Sequence, residues 1–333
     1  MSQAQESTPQ PYDVLAIGET MLRFTPPGYE RFQQATLIET HVGGSESNTA
    51  VGLARLGHRV AWFSRLTDNP LGRKISQAIA AHGVDTTHIC WTAEDRVGTY
   101  YMERGSAPRG SQVYYDRANS AMCHLSETDI ASELLSPDRV RCLHTTGITL
   151  GVSAQTCKAT NALIEKARSA GVMISFDVNY RGKLWAAEKA ASTCDSVAKL
   201  AELVFLPARD AANLYRVDVS SVQQAMNALH ERWPQATVVM TRGADGAVAI
   251  DSSGKFFVQP AFAAQEVERL GGGDAFSAGF LSAHLDGHTV PDCLCWGAAA
   301  AAIKYTLPGD LPVLDRSMVE SLVMQGGKSG VDR

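Results

Sequence analysis

A chain of 333 residues is longer than an average domain but fits one large α/β domain, and its 45% hydrophobic and 20% charged residues supply a sizeable core, which excludes wholesale disorder. Its 30 basic and 35 acidic residues leave a formal charge of -5 with no long run of either sign, so no attraction to nucleic acid or a membrane surface is advertised and a small-molecule partner is expected. The seven cysteines are scattered and lack paired C-x-x-C spacing, which reads as reduced thiols in a cytoplasmic protein.

Taken in chain order, residues 1–12 are polar, with neither a basic nor an apolar leader region, and read as a disordered tail. Asp13 to Gly18 is an apolar run ending at glycine, a buried strand. Ser47 to Leu56 has apolar residues at helical spacing and stops at Gly57, after which Val60 to Phe63 reads as another strand. The alternation recurs, with strands expected at Val140 to Leu143, Val172 to Phe176, Leu203 to Leu206 and Thr237 to Met240, separated by Ala-rich helical stretches. These imply a mostly parallel sheet covered by helices. Two regions break the pattern, about 21–42 and 96–117; the second carries two Tyr-rich runs around a Gly-Ser-Ala-Pro-Arg-Gly turn, and both read as hairpin-rich insertions. No repeat or low-complexity linker divides the chain, so 13–325 is expected to form one domain, with 326–333 as a tail. The longest apolar stretch, Ala298 to Ile303, falls far short of the ~20 residues of a membrane-spanning helix.

Two glycine-rich segments carry chemistry. In Gly43-Gly44-Ser45-Glu46-Ser47-Asn48 the glycines permit close approach of a ligand, and Asn48 in the following helical turn offers a donor and an acceptor suited to a sugar hydroxyl. The competing reading is an ordinary capped turn. In Gly271-Gly272-Gly273-Asp274 three glycines lead into a helix of small residues, and its first amides form an anion site without a Walker-type lysine. Asp is favoured near helix starts by capping alone. A carboxylate beside an anion site would nevertheless repel its ligand unless it had work to do, which favours Asp274 as the base accepting a hydroxyl proton during phosphoryl transfer, with the amides of residues 271 to 274 holding the transferred charge.

These residues, with Arg55-Leu56-Gly57, resemble the two signatures of the ribokinase-like (PfkB) carbohydrate kinases, and the resemblance spans the chain from residue 13 onward. It implies a Rossmann-like α/β fold with a small β-sheet lid, and ATP and Mg2+ as cofactors; because lid sheets with exposed edges and apolar faces pair between subunits, a homodimer through the lid is expected. It also implies that Thr241, Gly243 and Gly246, with Gly273, hold the nucleotide phosphates, and that 298–309 lies near the adenine. Within the family, the segments 18–23, 176–181 and 304–310 look most like 2-keto-3-deoxygluconate kinases. For such a sugar acid, Arg117 and Arg181 suit the carboxylate, while Tyr101, Tyr115 and Asn179 are expected to complete the pocket begun by Gly43, Gly44 and Asn48.

Two departures stand out. Glu268-Arg269-Leu270 replaces the usual Asp-Thr-Thr, and Ala208 and Ala211 stand where the family has an Asn and a Glu that organise magnesium and phosphate. No protein metal ligand is therefore assigned. A kinase for fructose or another neutral sugar, a nucleoside kinase and a non-catalytic sugar-binding protein stay open as alternatives. A dehydrogenase reading fails, because no βαβ unit and ribose-binding acid follow residues 271 to 273. His144, read as ending a strand, is a further candidate for the sugar pocket.

Overall fold

The computed structural model describes residues 11–326. Most of both expected tails lies outside that range; Tyr12, expected in the first tail, instead opens a strand, because its backbone joins the ladder beside Val140 and its amide donates to the Arg139 carbonyl at 2.8 Å.

The chain starts with β1 (Tyr12–Ile17), turns outward into β2 (Met21–Thr25) and β3 (Glu39–Gly43), and returns through α1 (Ser45–Arg55) to β4 (Val60–Phe63). Next come β5 (Arg65–Thr67), α2 (Pro70–Ala80), β6 (Cys90–Thr92), and a second outward hairpin of β7 (Thr99–Glu103) and β8 (Gln112–Asp116). The chain then alternates regularly through β9 (Val140–Thr146), α3 (Gly147–Val152), α4 (Ala154–Ser169), β10 (Met173–Asp177), α5 (Ala187–Ala198), β11 (Leu203–Pro207), α6 (Ala208–Tyr215), α7 (Val222–Arg232) and β12 (Thr237–Thr241). An antiparallel hairpin of β13 (Ala247–Ile250) and β14 (Phe256–Gln259) follows, then α8 (Gly272–Leu285), α9 (Val290–Tyr305) and α10 (Arg316–Met324).

Eight strands form the central sheet in the order β14-β13-β12-β11-β10-β9-β1-β4, parallel from β12 to β4 and antiparallel at the β13–β14 edge. Both faces of β1 are covered, because Leu15 and Ile17 join one hydrophobic core while Val14 and Ala16 join the other. This explains why the strand reads as an unbroken apolar run. The two outward excursions assemble a separate four-stranded sheet, ordered β3-β2-β7-β8, that stands over one end of the central sheet.

Small residues set the helix spacing that the site depends on. A Cβ on Gly52 of α1 would lie 2.7 Å from the Ala278 methyl of α8, and one on Gly279 would lie 2.6 Å from the Trp296 carbonyl of α9. Only glycine allows these helices so close, and their approach carries the start of α1 against the start of α8. The small sheet is tied down by Arg23 on β2, which is fully buried and ion-paired with Glu268 ahead of α8 and, at 2.9 Å, with Asp310 after α9.

Candidate active site

The site grows from the α1–α8 contact. Gly271 caps α8 at φ 75, a left-handed conformation, and a Cβ there would fall 2.0 Å from the Asp310 carbonyl oxygen, so glycine is required on both counts. The tight turn delivers Asp274 into the first turn of α8. Ser45 Oγ donates to Asp274 Oδ1 at 2.6 Å and Asn48 Nδ2 donates to Oδ2 at 2.7 Å, so two residues from the start of α1 fix the carboxylate's orientation. Asn179, after β10 and held at φ 39, donates in turn to Ser45 Oγ at 2.7 Å. Burial raises the Asp274 pKa; the Ser45 and Asn48 donors and the charges of Arg181 and Lys304 oppose that rise and favour the ionised form. Asp177 is pushed well up by burial and by the neighbouring carboxylates of Asp274 and Asp210.

Of the loop amides, that of Gly272 is taken by the Arg269 carbonyl at 3.2 Å, which removes it from the expected anion site. The amides of Gly271, Gly273 and Asp274 have no protein acceptor among the described residues, and the space over Gly273 is open. Three donors of the expected four are therefore free.

Two cavities meet here. The first, about 400 Å3, lies under the small sheet and is lined by Gly43, Gly44, Asn48, Tyr115, Arg117 and Arg181, with Asp274 at its floor. The second, about 1070 Å3, opens along the carboxyl ends of β11 and β12 and includes Thr241, Gly243, Gly246, Gly272 and Gly273. Its far end is apolar, with Phe262, Ala298, Ala301 and Ala302, a surface suited to a planar base. Tyr115, Arg181, Lys183 and Leu270 line both cavities and mark their junction.

The geometry redistributes several expected roles. Tyr101 does not face the cavity. In the β7–β8 register Tyr100 pairs with Tyr115 and Tyr101 with Tyr114, so Tyr101 points to the other face, stacked on Phe24 at 5.5 Å between ring centroids. Tyr100 takes the inner position and donates its hydroxyl to Asp310 Oδ1 at 2.5 Å. Asn179 acts one step back, on Ser45, rather than lining the cavity. Arg117 is not free for an anion in full, because Glu19 is ion-paired with it and is itself held by Ser120. Among the described residues Arg181 has no carboxylate within ion-pair distance, and its side chain donates to the Tyr180 carbonyl at 3.4 Å. His144 lies inside β9 rather than at its end; burial lowers its pKa to about 4, and its Nδ1 meets Ser175 Oγ at 3.0 Å, away from either cavity.

The sequence reading missed Ser45, Glu19, Tyr100, Lys183 and Asp310. Strand alternation paired with the neighbouring Tyr114-Tyr115 offered a signal for Tyr100; the others depend on contacts between distant segments. Asp210 is fully buried, accepting from the Tyr180 amide at 2.8 Å and pairing with Arg209, so it cannot stand in for the missing Asn and Glu. No group of three or more His, Cys, Asp or Glu is placed to hold a metal among the described residues. The donor set fits a protein-held magnesium ion poorly.

A carboxylate fixed at a helix N-terminus between a small polar cavity and a larger one with apolar residues in its lining suits phosphoryl transfer to a small molecule. The pfkB family carbohydrate kinase pattern matches residues 12–315, and the chain belongs to that family. It is 37% identical to the 2-dehydro-3-deoxygalactonokinase of Haloferax volcanii, over 96% of this chain and 99% of that protein. It is 29% identical to the 2-dehydro-3-deoxygluconokinase of Bacillus subtilis, over 90% and 91% of the two chains. The crystal structure of the Thermotoga maritima 2-dehydro-3-deoxygluconokinase superposes with a TM-score of 0.88 at 26% identity, covering 94% of this chain and 98% of that one.

Proposed function

We propose that this chain is an ATP-dependent kinase for a 2-keto-3-deoxy sugar acid, 2-keto-3-deoxygluconate in the first place, acting as a single α/β body with a lid. The observation that carries this reading is Asp274, clamped by Ser45 and Asn48 where the two cavities meet. The sugar acid occupies the smaller cavity and ATP the larger. As the γ-phosphoryl group leaves ADP, its new bond forms to a sugar hydroxyl oxygen, and Asp274 accepts that oxygen's proton. The free amides of Gly273 and Asp274 face the charge carried on the phosphoryl oxygens. Arg117, a guanidinium on the wall of the smaller cavity held in place by Glu19, supports a carboxylate-bearing substrate, and Arg181 adds a second cation where the two cavities join. Magnesium travels with ATP in this reading.

The lid's outer face leaves Tyr101 and Tyr114 partly exposed around Phe24, which supports a homodimer formed through paired lids. All seven cysteines are free, which suits a cytoplasmic enzyme; no helix among the described residues is long and apolar enough to cross a membrane.

The test is coupled ADP release with Mg-ATP across 2-keto-3-deoxygluconate, its C4 epimer 2-keto-3-deoxygalactonate, fructose, ribose and adenosine. Turnover with either keto-deoxy acid at a kcat/KM at least about a hundredfold above the neutral sugars supports the reading. A preference for a neutral sugar removes the carboxylate assignment, and no turnover despite sugar binding favours a non-catalytic binding protein.

A further inference from the structure

The larger cavity is built for negative charge in an unusual way. Its wall carries five cationic side chains, Arg181, Lys183, Arg209, Arg242 and Arg269, against one carboxylate, Asp245. That carboxylate is 74% exposed and already faces Arg242 at 3.6 Å. The first turn of α6, which opens onto the cavity, presents Ala208 there, buries Ala211 completely and offers Arg209 between them. A magnesium ion bound with phosphate ordinarily takes one or two protein carboxylates, and this wall supplies cations in their place.

We propose that this chain neutralises the nucleotide's phosphates with its own arginines, Arg209 and Arg269 chief among them, so that the nucleotide binds without a divalent cation. This rests on the larger cavity being the nucleotide site. The two side chains are 67% and 70% exposed and line the cavity from separate elements, one from the first turn of α6 and the other from the loop before α8. Among the described residues each holds one carboxylate, Asp210 at 3.2 Å and Glu266 at 3.1 Å. The Arg269–Glu266 pair is solvent-exposed at both ends and weak, while Arg209 meets the buried Asp210 through Nε and leaves its two terminal nitrogens for a phosphate, which by accepting both N–H groups of a guanidinium forms a strong contact. Arg181 and Lys183 stand deeper, at the junction with the smaller cavity, and add to the same field. In this arrangement magnesium serves the transfer step and is dispensable for binding.

Calorimetric titration of the full chain with ADP, once in magnesium and once in EDTA, tests the proposal, with wild type beside Arg209→Gln and Arg269→Gln. The expected wild-type Kd in EDTA lies within about fivefold of that in magnesium. Each substitution is expected to weaken metal-free ADP about tenfold, the loss of one charge-assisted contact, and Mg-ADP by less. Wild-type ADP binding that collapses about a hundredfold or more in EDTA overturns the proposal while leaving the nucleotide site intact. So do variants with unchanged metal-free affinity and wild-type circular dichroism. ADP that binds under neither condition overturns the nucleotide assignment of the cavity itself, and this proposal with it.

Discussion

Replacing Asp274 by Asn changes one atom of the site, and the surrounding contacts define what should follow. The introduced amide's oxygen still accepts from Asn48 Nδ2, while its NH2 group turns toward Ser45 Oγ, which already accepts from Asn179 Nδ2 and has a second lone pair. Shape and packing are retained and a buried charge is removed, so the thermal midpoint should move by only a few degrees. The proton acceptor is gone. A positioned general base contributes roughly 10²- to 10⁴-fold, so kcat should fall by that factor, equivalent to roughly 3–5 kcal/mol on the barrier. The pH profile supplies an independent sign. Because the base works only when deprotonated, wild-type kcat/KM should rise with pH through the Asp274 pKa, which burial places above the ordinary carboxylate value of 3.8, and that acid limb should vanish in the variant. The assay is coupled ADP release at saturating ATP and sugar, with sugar affinity measured separately by calorimetry. A variant with kcat within about threefold of wild type and an unchanged acid limb would refute the assignment of Asp274 as the base.

Other substitutions separate geometry from chemistry. Gly271→Ala forces a side chain into φ 75 against the Asp310 carbonyl and should cost at least ~1–3 kcal/mol, read as a lower thermal midpoint, whereas Gly273→Ala meets open space and should leave the midpoint in place while weakening nucleotide binding. Tyr100→Phe takes the donor from a buried carboxylate oxygen of Asp310, at a cost of about 1–3 kcal/mol with a raised sugar KM, and Tyr101→Phe should change neither quantity. Arg23→Met leaves Glu268 and Asp310 buried without their common cation and should destabilise the chain by about 3–5 kcal/mol in urea unfolding; a loss under about 1 kcal/mol would show that the lid is held elsewhere.

What could be read from the sequence followed from local physics. β1, β4 and the strands from β9 to β12 are covered on both faces, so each announces itself as a short apolar run, and the glycines at 43–44 and 271–273 announce turns that other residues resist. The antiparallel β13–β14 edge and the small β5–β6 pair carried weaker signals: they are short, and their pairing is a tertiary fact. Tyr100 and Tyr101 are adjacent tyrosines in one strand, and only the register with β8 says which faces inward. The Gly272 amide reads as free in the sequence because the Arg269 carbonyl that takes it is brought back by a turn whose geometry a run of glycines leaves undetermined.

The charged residues show the same limit more sharply. Arg117 and Arg181 look equivalent in sequence, each following aromatic or polar residues at the end of a strand or loop, yet the fold treats them differently. Glu19, 98 residues away along the chain, is ion-paired with Arg117 and fixes its position, while Arg181 has no ion-pair partner among the described residues and sits where both cavities open. A substrate carboxylate approaching Arg117 must share it with Glu19; one approaching Arg181 meets a cation that also acts on the nearby Asp274, Asp177 and Asp210 carboxylates and competes with the phosphates arriving from the other side. Arg117 is therefore the better placed of the two for specificity, since its Glu19 partner penalises any ligand too weakly charged to share the guanidinium, and Arg181 the better placed for the transferring group. On this argument Arg117→Met should raise KM for the sugar acid with little change in kcat, and Arg181→Met should lower kcat. The reverse pattern in steady-state kinetics would exchange the two roles.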